Sequence, residues 1–195
     1  EYTNGKCDLF FNNAGIAAFT GRIEDIPIQE AHNIVNINLN GVINGVYKVL
    51  PLLKNTNQSM IINTGSVGSF LPVPGAAVYS ATKFAVRGLT EGLNIEFAKH
   101  GIKVSELNPW FTETPILDAK QSTPLMDGAL QRDVIKSKSV IHTTEKVAKR
   151  VFKIYHTRSI HNVVGFTGNL AVFIMRYCPA IIRRMSRKMY ADYFS

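Results

Sequence analysis

The chain has only two cysteines, Cys7 and Cys178, far apart and with no Cys-x-x-Cys pair. That excludes a disulfide framework and a zinc ligand set, and two reduced thiols in a cytosolic protein are expected. No stretch approaches the roughly 20 consecutive apolar residues that a membrane-spanning helix needs. The longest charge-free run toward the C-terminus, Ile160 to Met175, is broken by His161, Asn162 and Asn169. A spanning protein is therefore excluded. The sequence opens at Glu1 without a charged-then-apolar leader, so no signal peptide is read, and this start is not expected to be the natural one. Internal repeats and low-complexity linkers are absent. Charged residues make up 18% of the 195 residues against 46% hydrophobic ones, which suits one packed domain rather than a disordered chain.

Acidic residues are scarce near the C-terminus. Residues 1–131 carry 9 Lys/Arg against 11 Asp/Glu, residues 132–195 carry 13 against 3, and the net charge of +8 thus belongs to the second part. Such asymmetry suits an anionic cofactor, a solvated basic face or an anionic surface. No basic run is interleaved with aromatics, and nucleic acid is not an expected partner.

What is present reads as buried strands alternating with long helices. Asp8 to Asn12 is a short apolar run closed by Asn-Asn-Ala-Gly, and Met60 to Asn63 is another, followed by a Gly-rich loop from Thr64 to Pro74. Ile102 to Leu107 gives a third strand ending at Asn108-Pro109, and Ile160 to Val164 a fourth. Helical spacing runs from Ile26 to Leu53 and from Ala76 to His100, the latter stopped by Gly101. Thr143 is an N-cap candidate for a helix carrying Val147, Val151 and Ile154. An irregular segment containing Pro115 and Pro124 reaches about residue 130, and two helical stretches divided by Pro179 finish the chain. The pattern predicts an α/β fold with a doubly wound parallel sheet in three layers. Ligands in such sheets lie beyond the carboxyl ends of the strands. Those ends are 12–15, 64–66 and 108–114.

Tyr79 and Lys83 stand four apart in the second long helix, so their heads share a face. A phenol titrates near pH 10, and a neighbouring ammonium lowers that value, which makes the pair a sensible proton donor and acceptor. Ser66, thirteen residues before Tyr79 at a strand end, could polarise a carbonyl held beside the phenol. Asn38 is an amide in mid-helix, where it is unfavourable unless it has a partner or a task. Asn12 reads as a residue tying strands together rather than a ligand, Asp8 as structural, and Ser69, Ser80 and Thr82 as loop or helix hydroxyls.

Together these residues resemble the short-chain dehydrogenase/reductase family. The matches are Asn12-Asn-Ala-Gly15, Asn38-Leu-x-Gly41, Ser66, Tyr79-Ser-Ala-Thr-Lys83 and Pro109 followed by Thr114, in family order and spacing over about residues 7–115. The resemblance implies a Rossmann-like fold and an oxidoreductase using NAD or NADP. Tyr79 would exchange a proton with the substrate oxygen, Lys83 would lower its pKa and bind the nicotinamide ribose, Ser66 would hold the substrate oxygen, and Asn38 would hold a relaying water. Asn13, Ala14, Gly15, Pro109, Thr112 and Thr114 would join Tyr79 and Lys83 in lining the cofactor. The implied substrate is a small hydrophobic alcohol or ketone. The implied assembly is a homo-dimer or homo-tetramer formed through the two long helices, in the cytoplasm.

Two departures from the family stand out. None of the 14 glycines forms a Gly-x-Gly, so the family's phosphate turn is absent. The first strand resembles the family's fourth, and the N-terminal strands are expected to be missing, leaving a partial domain over 1–195 that is inactive alone. Trp110 follows Pro109 where the family usually has glycine. Segments 109–142 and 166–195 are read as substrate loop and lid. The second mixes Phe166, Leu170, Phe173 and Ile181 with Arg176, Arg183, Arg184 and Arg187. It therefore also reads as a peripheral membrane contact, the property of a non-catalytic or truncated binding module.

Overall fold

The computed structural model describes residues 3–17, 21–73, 75–118, 135–136, 139–157 and 159–194, with 189–194 as backbone only. Four of the short apolar runs become strands: β1 Leu9–Asn12, β2 Met60–Thr64, β3 Lys103–Asn108 and β4 His161–Val163. They pair in parallel in the order β1-β2-β3-β4.

Successive side chains of a strand point to opposite faces, and both faces of this sheet are covered. On one side Ile61 and Val104 pack with Val46, Val49, Leu53, Leu93 and Phe97. On the other, Met60, Ile62 and Leu107 pack with Ile154 and Val164. The helices α2 Gly41–Lys54 and α3 Ala77–Phe97 supply the first layer, and α4 Thr144–His156 the second. A parallel sheet buried on both faces is the doubly wound arrangement that the alternating pattern implied.

The helix expected from Ile26 to Leu53 is interrupted. It consists of α1 Ile28–Val35, a π-helical turn over Asn36–Asn40, and α2. The wider turn carries Asn38 inward, where its amide bonds a neighbouring loop instead of serving helix geometry. Helix α3 ends as expected, with Gly101 in the left-handed region at φ 70°. Thr143 caps α4 by accepting a hydrogen bond from the Lys146 N–H. The two terminal helices are α5 Phe166–Tyr177 and α6 Pro179–Phe194, which pack on each other.

Pro115 begins a short 3-10 turn ending at Asp118. Pro124 and the stretch 119–134 of the expected substrate loop lie outside the described residues. Among the described residues no helix is long and apolar enough to cross a membrane. No cluster of His, Cys, Asp and Glu suited to a metal ion occurs among them either.

Candidate active site

The carboxyl ends of β1, β2 and β3 lie side by side at one end of the parallel sheet, and the singled-out residues gather there. Asn38 is fully buried and locked to the loop after β1. Its Oδ1 accepts from the Ile16 N–H at 2.8 Å, and its Nδ2 donates to the Ile16 carbonyl at 2.8 Å. A third contact reaches Thr82 Oγ1 at 3.3 Å. The same loop holds Asn13, Ala14 and Gly15. Asn13 Oδ1 accepts from the Thr64 hydroxyl at 3.1 Å. A methyl group built on Gly15 would lie 3.3 Å from Asn38 Oδ1 and 3.6 Å from Lys83 Nζ, so three motif positions share one small space.

Lys83, on α3, donates from Nζ to the Thr64 carbonyl at 2.8 Å. Its ammonium stands 5.6 Å from the centre of the Tyr79 ring. Burial lowers its pKa to about 8, with the negative charge of Glu106 acting in the opposite direction. Ser66 follows β2 and N-caps a 3-10 turn, its Oγ accepting from the Gly68 N–H at 3.0 Å. Ser66 and the Tyr79 ring both border Gly68. Burial pushes the Tyr79 phenol above its ordinary value, and the Ser66 hydroxyl pulls it partly back. The lowering expected from Lys83 is not seen: burial penalises the phenolate, and the Lys83 ammonium donates to a backbone carbonyl instead.

The other candidates hold loops together. Thr112 Oγ1 donates to the Trp110 carbonyl at 2.9 Å and Thr114 Oγ1 to the Thr112 carbonyl at 3.3 Å. The Pro109 carbonyl accepts from the Val67 N–H at 3.1 Å, joining the ends of β2 and β3. Trp110 donates its indole N–H to Ser139 at 2.8 Å and stacks edge-on to Phe111. Asn12 donates to Asn63 across the β1–β2 pair at 2.9 Å, the strand-tying bond expected of it. Ser80 accepts from the Val73 N–H and Thr82 donates to the Tyr79 carbonyl.

A second group beneath the loop escaped the sequence reading. Buried Glu106, Asn108 and Ser69 form a hydrogen-bonded set with the partly buried His161 under Ser66. The available signal was the acid Glu106, one residue before the end of the strand expected over Ile102–Leu107.

A model of the family described as short chain dehydrogenase matches residues 1–125. The chain belongs to the short-chain dehydrogenases. A 3-alpha-(or 20-beta)-hydroxysteroid dehydrogenase of Mycobacterium tuberculosis is 37% identical over 114 residues, which is 58% of this chain and 44% of that protein. The matches to curated relatives span between 43% and 69% of those proteins' own length. Among solved structures, a short-chain dehydrogenase/reductase from Burkholderia phymatum in complex with NAD is 26% identical with a TM-score of 0.75, covering 91% of this chain and 68% of that one. A short-chain dehydrogenase from Burkholderia cenocepacia in complex with NADP has a TM-score of 0.76 at 19% identity, covering 98% and 70%, and supports the fold. This short-chain dehydrogenase chain thus has the Rossmann-like sheet of its family.

Proposed function

We propose that the protein is an NAD(P)-dependent oxidoreductase acting on the hydroxyl or carbonyl of a hydrophobic substrate. The observation that carries this reading is the convergence of Ser66, Tyr79, Lys83 and Asn38 at the carboxyl ends of parallel strands. The residues fit the nicotinamide half of a dinucleotide. The backbone at Gly15 leaves a space that a Cβ would enter, and Lys83 Nζ and Asn38 Oδ1 border it. Lys83 would bind ribose hydroxyls there, with Asn13, Ala14, Pro109, Thr112 and Thr114 lining the remainder. The nicotinamide ring, when bound, supplies or accepts the hydride.

Tyr79 gives its phenolic proton to the substrate oxygen during reduction and recovers one during oxidation. Ser66 holds that oxygen by a hydrogen bond. Lys83, carrying its charge beside the ring, favours the phenolate when the phenol has given up its proton. Asn38 keeps the Ile16 loop closed against this group. A steroid-sized alcohol in the named relative and the apolar face of α5 both support an apolar substrate, with 166–195 as its lid. Exposed Tyr47 on α2 and Ile95 on α3 support pairing with a second copy. Free thiols at Cys7 and Cys178 suit the cytosol.

Tyr79→Phe in the full-length protein is the test. NADH- and NADPH-dependent carbonyl reduction should fall by about three orders of magnitude or more with loss of the proton donor. Retained turnover overturns the assignment.

A second reading has its own observation. Residues 166–188 carry five Arg/Lys and no acid, with Phe166, Phe173, Tyr177, Ile181 and Met185 exposed. Apolar and cationic side chains on one helical pair suit an anionic lipid surface. Flotation with phosphatidylserine vesicles, lost in Arg183→Glu/Arg184→Glu, supports that contact. Equal recovery with neutral vesicles counts against it.

A further inference from the structure

Glu106 has no part in the chemistry proposed above, yet it lies at 0% exposure in the central strand β3. A buried carboxylate is costly unless donors face it. Three groups do so: Ser69 Oγ donates to Oε1 at 3.0 Å, Asn108 Nδ2 donates to Oε2 at 3.1 Å, and His161 Nδ1 faces Oε2 at 2.9 Å. The far nitrogen of His161 meets Glu91 Oε1 at 2.9 Å, which anchors the ring between two acids.

The donors Ser69 and Asn108 then turn to a common target. The Ser66 N–H points between Ser69 Oγ at 3.1 Å and Asn108 Oδ1 at 3.2 Å. An ionised carboxylate only accepts. A Ser69 hydroxyl whose proton is given to Glu106 therefore presents a lone pair to Ser66. An Asn108 amide whose NH2 is given to Glu106 presents its oxygen to the same N–H. Gly65 completes the arrangement, since any side chain there would run into Glu106 Oε1 and come within 2.5 Å of Asn108 Oδ1. The loop can close over the carboxylate only because position 65 has no Cβ.

We infer that Glu106 is a positioning residue for Ser66, its two oxygens orienting Ser69 and Asn108 so that both grip the Ser66 backbone and fix its hydroxyl beside Tyr79. The catalytic consequence rests on the function proposed above; the grip itself does not.

The variant Glu106→Gln keeps the shape but places a donor where the network needs an acceptor. In the full-length protein it should lower kcat by about 10- to 100-fold through misplacement of Ser66, with the cofactor KM nearly unchanged. In a Ser66→Ala background the same change should cost little further, because the residue through which it acts is gone. An equal cost in both backgrounds overturns the inference. Amide exchange of Ser66 gives a readout independent of turnover. Its protection should drop about fivefold or more in Glu106→Gln, as expected for a lost hydrogen bond, while the β2 amides keep theirs. Absence of turnover in the wild type would refute the proposed function, and the exchange result would still decide this point. If Glu106→Gln does not fold, Ser69→Ala and Asn108→Ala each cut one arm. Unchanged Ser66 protection in both overturns the inference.

Discussion

Lys83 has 4% of its surface exposed and a single hydrogen bond, from Nζ to the Thr64 carbonyl. Burial brings its pKa from 10.5 to about 8 even though Glu106 favours the charge. The unfolded chain therefore holds this proton to higher pH than the native state. Between about 8 and 10.5 the native protein binds fewer protons, so its stability rises with pH across that window. Below pH 8 both states are charged and the native state bears the full desolvation cost. Urea unfolding of the cofactor-free protein should show the wild type gaining on Lys83→Met by up to about 3 kcal/mol from pH 7.5 to 10.5. Parallel pH curves for the two proteins would show that Lys83 titrates normally. Tyr79, raised by burial, enters the same argument from the opposite side. The phenol, raised in this way, holds its proton, which suits a donor under the proposed carbonyl reduction.

At the scale of elements, the contact between α2 and β1 depends on Gly45. A methyl group there would approach Phe10 Cε1 to 3.0 Å and run into Asn12 Oδ1. Asn12 is bonded to Asn63, and Asn63 donates in turn to Thr90 on α3. Gly45→Ala should therefore destabilise the protein by about 1–3 kcal/mol through overpacking, despite its better helix propensity. Gly41→Ala in the same helix is the control. Its nearest neighbour is the Asn36 carbonyl at 3.7 Å, an ordinary contact, and a gain of up to about 1 kcal/mol is expected. Thermal unfolding of the pair checks both signs. The elements were readable wherever one local signal sufficed. The apolar run Met60–Asn63 and the stop at Gly101 each correspond to a strand or helix end within a residue or two. The π turn at Asn36–Asn40 was not readable, because the apolar spacing on either side continues as though through one helix. The turn is stabilised by Asn38 bonding Ile16, 22 positions away. The role of Glu106 was not readable for the same reason, since its partner His161 lies 55 positions away.

For the molecule as a whole, the motif-bearing residues occupy one end of a four-stranded parallel sheet buried on both faces. The loops after β1 and β2, the π-helical turn before α2 and the start of α3 bring Gly15, Asn38, Ser66, Tyr79 and Lys83 together, and under the proposed function a nicotinamide ribose would bind there. A dinucleotide also needs a cradle for its pyrophosphate, which a glycine-rich turn at a helix N-terminus usually provides. This sequence has 14 glycines and no Gly-x-Gly. The two neighbours solved with NAD and NADP are longer, this chain covering 68% and 70% of them. If these 195 residues carry only the nicotinamide half of the site, the adenylate part of the ligand adds almost no affinity. Calorimetric titration of this chain should then give dissociation constants for NADH and for reduced nicotinamide mononucleotide that agree within a few-fold. A preference for NADH of tenfold or more, about 1.4 kcal/mol, would show that the adenylate is gripped by residues other than a glycine-rich turn. The basic second part of the chain, with 13 Lys/Arg against 3 Asp/Glu, would then be the first place to look. Weakening of that preference with added salt would identify the grip as charge on phosphate, because exposed ion contacts are screened over a Debye length of about 8–10 Å at moderate ionic strength.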